Sequence, residues 1–108
     1  MKLKLYAIYD TVSCVYDRPW CSHNDSSALR LFSDIACDEN HPVGKHPEHY
    51  QLYRIGRYDD NNGVIEPESA VCIGKAQELV SAHGLHKSQR ELFKQKDTGG
   101  NGEDRESV

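Results

Sequence analysis

Apolar and polar positions alternate from the start of the chain. Leu3, Leu5, Ala7 and Tyr9 fall on one side, and Lys2, Lys4, Tyr6, Ile8 and Asp10 on the other. The spacing predicts a half-buried strand over Lys2 to Asp10. Asp10 to Ser13 opens with a good turn former, and Val15-Tyr16 follows before Arg18-Pro19-Trp20. This reads as a hairpin whose second strand is cut short, because Pro19 cannot donate to a ladder and belongs at an edge or strand end. Asn24, Asp25 and Ser26 are competent helix N-caps. Beyond them Ala28, Leu31, Phe32, Ile35 and Ala36 repeat at three- and four-residue intervals, which predicts an amphipathic helix over Asp25 to Asp38 with its stripe against a sheet. Burying Leu31, Phe32 and Ile35 should contribute roughly 1.5 to 3 kcal/mol each.

The stretch from Asp38 to His49 is polar and holds two prolines and Gly44, so a loop is expected there. Tyr50 to Tyr58 is aromatic and β-branched, yet its apolar phase slips: Tyr53 and Ile55 share a side and Tyr58 does not. A bulge at Gly56 would return Tyr58 to their side. Asp59-Asp60-Asn61-Asn62-Gly63 is a dense turn signal, with Val64-Ile65 completing a second hairpin. Glu66 to Ser69 interrupts. Ala70 to Ile73 suits either an edge segment or a helix entry, and Ala76, Leu79 and Val80 show helical spacing, with Gly84 as a C-cap and a further short helix over Ser88 to Phe93. The expected fold is α+β: an antiparallel sheet of about four strands, in element order β-β-α-β-β, with one main covering helix and a C-terminal helical segment. Residues 1–95 form the single domain in this reading, and residues 96–108 an acidic disordered tail. An exposed edge strand offers pairing across a two-fold axis, the route to a homodimer.

Composition narrows the function. The 108 residues carry a formal charge of −4, and residues 1–95 hold 11 Lys and Arg against 13 Asp and Glu, so the tail hides no basic domain and any DNA contact must be local. The N-terminus lacks the apolar run of a signal peptide or membrane helix. A cytoplasmic protein without membrane contact is expected, and its four cysteines are expected to be free thiols.

Four segments carry a resemblance when taken in order: Leu5 to Asp10, Ala28 to Asp34 ending Leu-Phe-Ser-Asp, Lys45-His46-Pro47-Glu48-His49-Tyr50, and Ile55 to Asp60 with Gly63 after it. Together they resemble the small nonstructural protein of gokushoviruses, microviruses of bacteria with circular single-stranded DNA genomes. The resemblance spans roughly residues 3 to 80. Relatives tend to stop near Ile73 to Ala76, and the extension from about Ser81 departs from them. It implies a bacteriophage protein absent from the finished capsid, working in the host bacterial cytoplasm in single-stranded genome replication or packaging. It transfers no catalytic residues.

Three kinds of site are weighed on the residues themselves. Lys4, Tyr6, Trp20, Tyr53, Arg54 and Arg57, joined by Lys2 and Tyr58, lie on predicted strands or their ends. Basic and aromatic side chains alternating on a sheet can stack unpaired bases and pair with phosphates; the plainer reading puts the tyrosines in the core and the charges in solvent. Cys37, His41, His46 and His49 surround the long loop and form a zinc donor set. Against this, His46-Pro47-Glu48 opens a helical turn with Pro first and Glu near the positive end. Catalysis is not expected: Asp59 and Asp60 belong to turn chemistry, and no phosphate loop, nucleophile elbow or zinc-protease helix occurs. The function read from sequence is thus a non-catalytic accessory protein that contacts single-stranded DNA or, alternatively, works as a protein-binding module on replication, packaging or host proteins. A zinc-binding regulator is the remaining alternative.

Overall fold

The computed structural model describes residues 1–84. The expected short helix over Ser88 to Phe93, the boundary after residue 95 and the acidic tail lie outside the described residues. Within them the order is β1 (Lys2–Asp10), β2 (Val15–Tyr16), β3 (Trp20–Ser22), α1 (Asp25–Ala36), α2 (Pro42–Lys45), a 3-10 turn (Pro47–His49), β4 (Tyr50–Asp59) and β5 (Val64–Lys75). A final helix, α3, occupies residues 76–84. The sheet is antiparallel and ordered β2-β1-β4-β5, with β3 also paired to β1. This is the expected α+β architecture.

Local chemistry explains each element. Asp10 Oδ1 accepts the Val12 and Ser13 amides at 2.9 and 3.4 Å, closing the first turn as an Asx turn does. Pro19 falls in the gap between β2 and β3, where a missing amide costs no ladder bond. The α1 helix starts at Asn24, whose side chain accepts the Ser27 amide at 2.8 Å, satisfying one of the orphan donors of the first turn.

The expected slip in β4 is present. Leu5 pairs with Gly56 and Tyr6 with Arg54, so Ile55 is the extra residue, and Tyr53 and Tyr58 then face Ala7 and Leu3 on one side of the sheet. Gly56 is required because a Cβ there would lie 2.6 Å from the Glu66 carbonyl oxygen. The undecided stretch after Val64-Ile65 is one continuous strand, and the interruption seen at Glu66 to Ser69 is a wide irregularity within it: Gly56 pairs with Pro67 and Arg54 with Val71. As an edge strand paired only to β4, β5 tolerates a proline whose nitrogen needs no partner.

The core lies between the sheet and α1. Ala28, Phe32 and Ala36 face Tyr6, Ile8 and Leu52, and all six are buried. Val43 of α2 and Ala76 of α3 complete the cluster. One part of the expected stripe is corrected: Leu31 is 46% exposed. The residues at i, i+4 and i+8 share the tightest line on a helix, and Leu31, one step before Phe32, is turned about 100° away from it. The polar loop is likewise corrected in part, because Pro42–Lys45 is a short helix whose Val43 is buried.

Candidate functional site

The cationic and aromatic residues expected to meet DNA do not make one surface. Tyr6 has no exposed surface, which removes it as a stacking platform. Its hydroxyl donates to Asp25 Oδ1 at 2.6 Å. Arg54 donates from Nη1 to the other oxygen of Asp25 at 2.7 Å and from Nε toward Glu68 at 3.4 Å. Arg57 lies 3.0 Å from the second oxygen of Glu68 and 3.9 Å from Glu66. Two arginines and three carboxylates thus fasten the first turn of α1 to β4 and β5. Burial and the bond to Asp25 raise the Tyr6 phenol well above its ordinary value. The Tyr6 hydroxyl, then the Arg54 guanidinium, hold the Asp25 carboxyl below the usual carboxylate range. The bond to Asp25 raises Arg54 further.

Lys4 shares this side of the sheet, opposite Arg57 in register, and Lys2 lies two residues along the same strand. Trp20 packs partly into the core, its ring centroid 6.2 Å from that of Tyr6. Tyr53 points the other way, where its ring meets those of Tyr9 and Tyr16 at 5.8 and 5.7 Å. Charge gives no further help to strand binding: residues 1–84 carry 8 Lys and Arg against 12 Asp and Glu.

The expected metal set also divides. His41 caps α2, its Nδ1 accepting the Val43 amide at 3.1 Å. Cys37 closes α1 through its backbone amide, which reaches Ser33 and Ile35 carbonyls. His46 and His49 do come together, with rings 5.6 Å apart and nearly parallel, and Glu48 joins them: one donor atom of each of the three residues lies within 4.8 Å of the others. Sequence reasoning missed Glu48 as a donor because it assigned the residue to a helix start alone. The four cysteines are free.

A feature not anticipated from sequence is a groove of about 510 Å³ between α1 and the first hairpin. Ile8, Trp20, Ile35 and Tyr50 form its apolar interior, Leu31 and Val15 stand at its mouth, and Asp10, Asp17, Arg18 and His41 supply the polar rim. Leu31 and Val15 are 46% and 56% exposed, so a groove-filling group would remove large apolar side chains from water. The signal was present in the helical wheel, where Leu31 leads Phe32, but nothing local says which of two adjacent apolar residues a sheet will cover.

Residues 3–79 match the family described as Phage ORF5 protein. This chain belongs to that family. The Phage ORF5 match ends inside α3, so it takes in the whole sheet, α1, the arginine network and the groove. No curated protein and no solved structure matches the chain. The family places the protein in a bacteriophage, and an accessory phage protein is the function that membership supports. No helix of the described residues is long and apolar enough to cross a membrane.

Proposed function

We propose that this Phage ORF5 protein is a non-catalytic accessory factor of viral single-stranded genome replication or packaging, acting in the host cytoplasm by gripping a protein partner in the groove beside α1. The observation that carries the reading is the groove itself, with Leu31 and Val15 left exposed at its mouth while Arg54 and Arg57 are engaged by carboxylates of their own chain. Surface apolar groups grouped around a concavity suit protein contact. Phosphate binding instead needs cations free to release counterions. With Asp10 and Asp17 on the rim against Arg18, the groove suits a segment that offers apolar side chains flanked by Lys or Arg. Membership of the phage family supports the accessory viral role, and the replication or packaging setting rests on the resemblance to the gokushovirus nonstructural protein.

The test is co-expression with the other proteins of the same phage genome, followed by affinity purification with and without nuclease. A complex that survives nuclease and is lost in Leu31→Glu, a change at an exposed helix position that leaves the melting temperature intact, supports the reading. A complex that nuclease dissolves, or single-strand oligonucleotide binding that weakens steeply with salt and is lost in Arg57→Ala, would replace it with direct DNA contact.

A further inference from the structure

The turn that joins α2 to β4 carries a donor set unlike anything else in the described residues. We infer that His46, Glu48 and His49 form a surface binding site for a zinc-class divalent cation, separate from the groove. The three side chains issue from four consecutive positions, and one donor atom of each lies within 4.8 Å of the other two. Glu48 Oε2 is already 3.6 Å from His49 Nε2, close to the roughly 3.3 Å between neighbouring donors when zinc is bound tetrahedrally at about 2.0–2.1 Å. His46 and Glu48 are exposed and His49 half-buried, so small rotations of two free side chains close the remaining gap without moving the backbone.

The backbone beneath them is held in place. Pro47 occupies the first position of the turn, and the His49 amide donates to the His46 carbonyl at 3.0 Å. The His49 carbonyl accepts from both the Thr11 amide and the Thr11 hydroxyl, at 2.9 and 3.0 Å. That fixes His49 to the first hairpin, 38 residues away, so that the ligands are presented by a rigid support, which lowers the ordering cost of binding. Asp10, paired in register with Tyr50 directly after His49, adds negative charge nearby.

Donor chemistry selects the ion. Two imidazoles and one carboxylate suit zinc or a neighbouring late transition metal, whereas magnesium and calcium prefer oxygen throughout. Three protein donors leave at least one coordination position for water or for a donor from another molecule.

Calorimetric titration of the purified full chain with Zn²⁺ in a non-chelating buffer tests the inference, with circular dichroism on each variant to verify folding. One ion per chain is expected, with affinity reduced at least about tenfold in His46→Ala and His49→Ala, since even the outer partners of a metal ligand are worth that much. Glu48→Gln, an exposed and isosteric change, should also weaken binding, whereas Cys37→Ser and His23→Ala should not. Magnesium in place of zinc should give no heat. Absence of zinc binding at micromolar concentrations, or binding that persists unchanged in the His46→Ala/His49→Ala double variant, would overturn it.

Discussion

Replacing Arg54 with alanine separates a structural role for the sheet cations from a DNA-binding one. The guanidinium is only 23% exposed and spans Asp25 and Glu68, whose side chains are 41% and 25% exposed. Charge-assisted hydrogen bonds contribute about 1.5–3 kcal/mol each when shielded from water. The Asp25 bond is short but its carboxylate reaches solvent, and the Glu68 contact is long at 3.4 Å, so both deserve the lower part of that range or less. Removing the arginine also leaves the Asp25 and Glu68 carboxylates without their common cation. A total loss of about 2 kcal/mol follows, against roughly 4–13 kcal/mol for a domain of this size. With a urea m-value near 1–1.5 kcal/mol/M for a small protein, the midpoint should fall by roughly 1.3–2 M. Circular dichroism during urea titration at pH 7 measures it.

Acid supplies an internal control on the same variant. Asp25 has a depressed pKa in the folded protein, so its stabilising effect is complete above the unfolded value of about 3.9 and is lost as pH falls through the folded one. The gap between the wild type and Arg54→Ala should therefore be full at pH 7 and shrink below about pH 4. An Arg54→Ala protein as stable as the wild type at neutral pH, or a gap indifferent to acid, would refute the network as the anchor of α1.

Phe32→Ala should lower stability by about 3–5 kcal/mol in the same assay, because the ring is fully buried among Tyr6, Ile8 and Leu52 and its neighbours cannot all collapse into the space. Gly44→Ala should cost about 1–3 kcal/mol, the usual result of overpacking, since a Cβ there would stand 1.8 Å from the Asp38 carbonyl oxygen. Gly84→Ala, with nothing within 4 Å of the added carbon, should not destabilise the protein.

What the chain determined by itself is whatever depends on neighbours in sequence. The alternation in β1, the Asn24 cap and the Ala28 to Ala36 repeat are local periodicities, and each became the element it predicted. The β4 bulge was also legible, because an apolar pattern that changes phase can regain its face only by inserting a residue. His46 and His49 were legible as a pair for the same reason, lying on one turn.

Tertiary packing decided the rest. Alternation could not say which face of β1 would be covered, and the helix chose the side of Tyr6 and Ile8, so that Tyr6, expected to meet DNA, became core. Nor could it show that Arg54 and Arg57 would find Asp25, Glu66 and Glu68, partners 9 to 29 residues away, and so change from free cations into fasteners of the fold. Gly44 reads locally as a loop residue, and only the close approach of α2 to the end of α1 reveals that it leaves no room for a side chain. The physical reason is common to all three: periodicity and turn chemistry act over one or two turns of chain, whereas burial and ion pairing depend on distances that exist only after the sheet and helix have met.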